Sequence, residues 1–284
     1  MLILEGYLEN NTLRESFNAL AGKCFGIDFE PWYQKGFYSD KYIPHSIVLD
    51  GEVVANVSVS KMEMAVDGKI MRFLQLGTVM TRQEYRKKGY SRMLMEHILQ
   101  KYADQCDGFF LFANKTVLDF YPKFGFQLAQ QYLFTRDIWN TNAGCLEKVP
   151  MDAPQKWNQL INAYENNRFD SQIQVMNNHQ LMMFYIPDMD VFFHRPTQTY
   201  IVADIKGKCA FIYDIFSPEN ITLEEVLTFF GEGVKKVTLA FTPADPESYR
   251  AELVSEESDT FFATGKLLEL AQRKKINIPL LFHA

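Results

Sequence analysis

The stretch "TRQEYRKKGYSRMLMEHIL", residues 81–99, sets five cationic side chains, Arg82, Arg86, Lys87, Lys88 and Arg92, around Gly89 and directly ahead of an apolar pattern of helical period. A helix start presents orphan N–H groups and partial positive charge. Acidic or small capping side chains are its usual occupants, and each cation there costs roughly 0.3–1 kcal/mol. The pattern therefore points to a negatively charged group held at this turn. In the helix that follows, Tyr90, Met93, Leu94, His97 and Ile98 fall at i, i+3, i+4, i+7 and i+8, which predicts one face packed on a sheet.

Ahead of the turn the period becomes two. Residues 45–81, "HSIVLDGEVVANVSVSKMEMAVDGKIMRFLQLGTVMT", largely alternate and are cut by Asp50-Gly51 and Asp67-Gly68, so three antiparallel strands joined by tight hairpins are expected. Residues 11–25, with Leu13, Phe17, Leu20 and Ala21 at helical spacing, predict an earlier helix. Beyond the turn and its helix, "GFFLFAN" (108–114) reads as a strand covered on both faces, and "KTVLDFY" (115–121) as a short helix stopped by Pro122. Gly125 opens another strand through "FTRDIW" (134–139).

The polar, proline-containing segment "NTNAGCLEKVPMDAPQ" (140–155) reads as a linker. After it, "KWNQLINAY" (156–164) is helical and "TYIVADIKGKCAFIYDIF" (199–216) gives two strands around Lys206-Gly207. "TLEEVLTFFGEG" (222–233) gives a helix with a capping-box pair, Thr222 and Glu225, and "KKVTLAFTP" (235–243) a further strand. The second half thus repeats the first in outline, with "SPENIT" (217–222) where a basic turn would stand. The expected fold is α/β of the α+β kind: a mixed, mostly antiparallel central sheet flanked by helices over 1–140, a linker at 141–155, and a second, smaller domain of similar outline over 156–284.

The 284 residues suit two domains of ordinary size, and 47% hydrophobic with 23% charged residues is the balance of a soluble globular chain. A formal net charge of −6 argues against general nucleic-acid or membrane-surface binding, which favours a specific small anion as the partner of the basic turn. Four cysteines without a CxxC pair and five histidines without metal-ligand spacing predict reduced thiols and no metal site. No apolar run approaches the roughly 20 residues of a membrane span, and the N-terminal "MLILEGYLENN" is not signal-like, so a cytoplasmic location is expected.

The run Arg86-Lys87-Lys88-Gly89-Tyr90-Ser91 resembles the Q/R-x-x-G-x-G/A signature of the GCN5-related N-acetyltransferases (GNAT family), with Ser91 where that family usually has Gly or Ala. Downstream, "NKTVLDFYPKFGF" (114–126) resembles the family's second signature, and the two motifs stand in the family's order and spacing over about residues 1–138. The resemblance implies an acyl-CoA N-acyltransferase fold binding acetyl-CoA. Successive amides from Lys87 to Ser91 would cradle the cofactor pyrophosphate at the strand-to-helix turn, with Arg82, Arg86, Lys87 or Lys88 adding charge.

The resemblance also implies roles for other residues. Backbone groups at Val79, Met80 and Thr81 would meet the pantetheine arm and polarise the thioester, Asn114 would reach the pantetheine amides or simply cap a turn, and Tyr121 would be the general acid for the leaving thiolate. Histone-acetylating relatives carry a glutamate where this chain has Gln75, which leaves Glu63 or His45 as candidate bases. A looser resemblance, to two-domain bacterial acetyltransferases with a degenerate second GNAT-like domain, suggests the C-terminal carboxylate of Ala284, although the third domain of those relatives has no counterpart in these 284 residues. The expected activity is acetyl transfer from acetyl-CoA directly to a primary amine of a small molecule or peptide. The alternative is a non-catalytic module that binds coenzyme A or a partner. Cys24 and Cys106 lack a positioned histidine, which argues against a covalent intermediate. The aromatic stretch "FEPWYQKGFYSDKY" (29–42) lies where the family's variable substrate loops fall, and the net acidity would suit a polycationic acceptor.

Overall fold

The structure is a computed structural model that describes residues 2–255 and 260–284. In chain order the first half contributes β1 (Leu2–Glu5), α1 (Asn11–Phe25), α2 (Glu30–Gln34), β2 (Tyr42–Leu49), β3 (Glu52–Val66), β4 (Lys69–Thr81), α3 (Tyr90–Tyr102), β5 (Gly108–Ala113), β6 (Gln127–Leu128) and β7 (Tyr132–Asp137). The second contributes β8 (Glu147–Lys148), α4 (Pro154–Glu165), β9 (Ile173–Met176), α5 (His179–Tyr185), β10 (Val191–His194), β11 (Thr199–Lys206), β12 (Cys209–Phe216), α6 (Leu223–Thr228), β13 (Lys236–Leu239), β14 (Arg250–Leu253), β15 (Thr260–Ala263) and α7 (Gly265–Arg273).

The two Asp-Gly turns sit as the alternation predicts. Asp50, Gly51, Asp67 and Gly68 all have positive φ, the conformation that a two-residue hairpin of right-handed twist requires, and they join β2, β3 and β4 into an antiparallel meander. From β4 the chain crosses through α3 to β5, which pairs parallel to β4. The second sheet repeats this plan with β10, β11 and β12 as the meander and α6 as the crossover to a parallel β13. Thr222 and Glu225 form the reciprocal capping box that their spacing predicts.

Each sheet is completed by a strand from the other half. β15 lies between β5 and β6 in the first sheet, and β7 lies between β13 and β14 in the second. β9 also crosses to pair with β3. The expected boundaries do not follow the sheets: "FTRDIW", assigned to the first unit, pairs in the second sheet, and residues 260–263, assigned to the second, pair in the first. The supposed linker is also packed structure. Asn140 donates through Nδ2 to the carbonyls of Leu227 and Gly231, and β8 pairs with β10. Local composition reports solvation and turn chemistry, whereas strand exchange depends on partners more than a hundred residues away.

Two local expectations also shift. The segment 115–121 forms no single helix but two 3₁₀ turns, Lys115–Val117 and Tyr121–Phe124. The buried face of α3 is Leu94, Met95, Ile98 and Tyr102, rotated by about one position, so that Met93 is exposed and His97 turns outward to pair with Glu5.

Candidate functional site

β4 carries a bulge at residues 78–79. Its register with β3 steps from Gly77 opposite Ser58 to Met80 opposite Asn56, and neither Thr78 nor Val79 has a partner across the ladder. Thr78 has a φ of +49°, a strained conformation for a β-branched residue. A buried polar chain holds it there. Tyr7 OH and Ser46 Oγ are 2.6 Å apart, Ser46 Oγ donates to Asn56 Oδ1 (2.8 Å), and Asn56 Nδ2 donates to Ser58 Oγ (3.0 Å) and to the Thr78 carbonyl (2.9 Å). Tyr42 OH and Thr78 Oγ1 are 2.7 Å apart. A bulge re-aims the backbone and ends regular pairing. Here β4 pairs with β5 only from Phe73 to Gln75, so beyond Gln75 the two strands part.

The parting strands open a cleft of about 920 Å³ that runs from the basic turn past the bulge to the aromatic side chains of α2 and α5. At its basic end Gly89 is the N-cap of α3 with a φ of +84°, Lys87 has a φ of +63°, and no side chain caps the helix. The amides of the turn and the first helical turn therefore form an uncapped anion cradle beside Arg86, Lys87 and Arg92, which line the cleft. Ser91 Oγ lies 2.8 Å from Thr81 Oγ1 and ties the turn to the strand. Arg82 does not belong to this cradle: it donates to Glu52 (2.6 Å), to the Val53 carbonyl and to Ser16. Lys88 lies 4.5 Å over the Tyr85 ring, outside the cleft lining.

Val79, Met80 and Thr81 line the middle of the cleft with Asn114 and Tyr121 opposite. Asn114 caps the first 3₁₀ turn by accepting from the Thr116 N–H (3.2 Å). Tyr121 is 4% exposed and packs against Phe120, Phe126 and Phe262; burial pushes its phenol up to about 12, so it carries its proton throughout the physiological range.

Neither candidate base on the meander reaches the cleft. Glu63 pairs opposite Arg72, about five residues or roughly 17 Å along β4 from Gly77, and is held by Asn177 Nδ2 (2.7 Å) where β9 crosses β3. His45 is fully buried under α3, with Nδ1 3.0 Å from the Ile43 carbonyl and Nε2 3.3 Å from Tyr102 OH, and burial pulls it down to about 4.

Ala284 does reach it. Gln75, completely buried, turns its amide nitrogen to the Phe282 carbonyl (2.8 Å) and accepts from the Ala284 N–H (2.6 Å). Gly77 meets the Ala284 carbonyl backbone to backbone, with no room for a Cβ between them. His283 stacks on Phe112 with ring centroids 3.5 Å apart, and its own carbonyl accepts from Tyr185 OH (2.7 Å). Residues 282–284 thus fill the gap between β4 and β5 on the side away from the basic turn. Sequence reading missed His283, Phe184 and Tyr185, whose only local signal was an apolar ending and an aromatic run in the second half.

Residues 10–129 match the family model of the acetyltransferase (GNAT) domain. Among curated proteins none is significantly similar in sequence. Solved structures share the fold across almost the whole chain. Eis1 from Mycobacterium abscessus is 13% identical with a TM-score of 0.60, over 93% of this chain and 72% of its own. A GCN5-related N-acetyltransferase from Kribbella flavida is 15% identical with a TM-score of 0.56, over 93% and 72%. One from Anabaena variabilis is 15% identical with a TM-score of 0.58, over 92% and 72%.

Proposed function

We propose that this chain, whose residues 10–129 match the acetyltransferase (GNAT) domain, is an acyltransferase that moves an acetyl group from acetyl-CoA directly to a primary amine. The observation that carries the reading is one continuous cleft joining an uncapped, cationic helix start to a backbone bulge and a protonated tyrosine. These residues fit the donor. The amides from Lys87 to Ser91 with Arg86 and Arg92 would hold a pyrophosphate, and the Val79–Thr81 backbone with Asn114 would line a pantetheine arm. Acetyl-CoA would supply the acyl group, activated as a thioester.

In this reading backbone N–H groups at the bulge, where Thr78 and Val79 have no ladder partner, would stabilise the developing oxyanion as the amine nitrogen bonds to the acyl carbon and the carbon–sulfur bond breaks. Tyr121 gives its phenolic proton to the departing thiolate. A chain ending at Ala284 would place a carboxylate beside Gly77 to take the proton which the amine loses and pass it through solvent to the Tyr121 phenolate, so the products are the amide and the free thiol and both groups are restored. Burial keeps Tyr121 protonated until it is needed.

The test is calorimetric titration with acetyl-CoA, followed by an amine screen read as thiol release. Tyr121→Phe is expected to lower kcat about a hundredfold with acetyl-CoA affinity intact. Unchanged turnover removes Tyr121 from the chemistry. Absence of acetyl-CoA binding by the intact protein favours instead a partner-binding module of the same fold.

A further inference from the structure

At the end of the cleft away from the basic turn, four aromatic side chains from distant parts of the chain meet. Phe29 and Phe184 stack with centroids 5.3 Å apart, and Trp32 stands edge-on to Tyr42 at 5.7 Å and to Phe184 at 6.2 Å. All four line the cleft. The Trp32 indole N–H is already taken by the Gln180 carbonyl (2.7 Å), and the Tyr42 hydroxyl by Thr78, so the wall offers ring faces and edges rather than hydrogen-bonding groups. The same bonds place the wall against the chemistry. Tyr42 touches the bulge, and Tyr185, next to Phe184, holds the carbonyl of His283 beside Ala284.

Charge along the cleft is one-sided. Among the described residues the charged side chains lining it are Arg86, Lys87 and Arg92, all at the basic end, and no Asp or Glu side chain lines it. The described Asp and Glu side chains therefore lie away from the cleft lining, and the expectation of a polycationic acceptor finds no support there. With the Ala284 carboxylate engaged by the reacting amine, a second ammonium group on the acceptor would be desolvated against rings without an Asp or Glu side chain to pair with. A single amine fares differently. Apolar surroundings disfavour its charged form, which raises the share of neutral, nucleophilic nitrogen, while the rings cover its hydrocarbon body.

We propose that the acceptor is an arylalkylamine: one primary amine on an aromatic body, seated on the wall of Phe29, Trp32, Tyr42 and Phe184 with its nitrogen toward Thr78 and Ala284. This deepens the acetyl-transfer reading and rests on it.

The experiment compares 2-phenylethylamine with spermidine in two readouts: calorimetric binding to the CoA-saturated protein, or to the free protein if CoA does not bind, and thiol release from acetyl-CoA. The expected result is binding of 2-phenylethylamine and a kcat/KM for it at least about tenfold above that for spermidine. Phe184→Ala, at a half-buried position open to the cleft, should raise KM for 2-phenylethylamine about tenfold with little change in kcat. Phe184→Glu should shift the preference toward spermidine. Preference of the intact protein for spermidine, or a Phe184→Ala variant with an unchanged KM, overturns the aromatic site and leaves acetyl transfer standing. Binding of 2-phenylethylamine without any turnover keeps the site and overturns the transfer reading. Absence of binding in both protein states overturns the site.

Discussion

A methyl group at residue 77 has nowhere to go, because a Cβ there would overlap the main-chain carbon and oxygen of Ala284. Gly77→Ala should therefore expel residues 282–284 from the gap between β4 and β5. The expected outcome is a loss of about a hundredfold or more in kcat with acetyl-CoA affinity kept, read by thiol release beside calorimetry. Residues appended after Ala284 should do the same; full activity in both variants would remove Ala284 from the mechanism. Two histidines make a separate prediction. His45 and His283, ordinarily near 6.5, are both pulled down to about 4, chiefly by burial. The unfolded chain then binds more protons between about pH 4 and 6.5, so their contribution to stability is whole above that window and lost as the pH falls through it. His45 faces Tyr102 and His97 of α3, with Glu5 3.8 Å away and Lys101 nearby. His45→Gln should flatten the fall in urea midpoint between pH 7 and pH 4.5; an identical slope in the variant would refute this assignment.

At the scale of the element, the strand-to-helix turn before α3 was legible in residues 86–91 because a phosphate cradle needs a left-handed glycine and a helix start, both written locally. Gly89 sits at a φ of +84°, where a β-branched side chain is strained. Gly89→Val should weaken acetyl-CoA binding by about tenfold or more in calorimetry while the fold, read by circular dichroism, survives, since only open space surrounds the site of the new side chain. Unaltered affinity would place the pyrophosphate elsewhere. The five cations around Gly89 have different partners. Arg82 and Arg92 find carboxylates in Glu52 and Glu96, Lys88 a tyrosine ring, and Arg86 and Lys87 face the cleft beside Arg92. The bulge in β4 was not read from the sequence, because the break in alternation at Thr78 and Val79 is too short to be told from ordinary scatter. Its cause is the cross-strand polar chain through Asn56.

For the whole molecule, the exchanged strands make the two halves mutually dependent. β15 supplies the ladder between β5 and β6, β7 does so between β13 and β14, and one apolar cluster joins Phe17 and Trp32 to Tyr164, Phe216 and Phe282. The chain should unfold in a single cooperative transition. A fragment of residues 1–140 should fail to give one, since it lacks β15 and leaves β7 without its sheet; a cooperatively folding fragment would show that the first half needs no partner strand.

What the sequence by itself determined is whatever depends on neighbours within about a dozen residues: the Asp-Gly hairpins, the uncapped basic turn, the second motif that carries Tyr121, and the capping box of α6. What only the tertiary structure decided is whatever depends on pairing across the chain. Four-residue β15 has no periodicity long enough to announce its sheet, Glu63 and Ala284 differ as candidate bases only through where their backbones run, and Phe184 joins Phe29 only after the halves have closed on one another. Hydrophobic burial is non-directional and leaves its trace as local period, while ladder partners and cleft walls are chosen among distant segments by shape and by the polar groups left to satisfy.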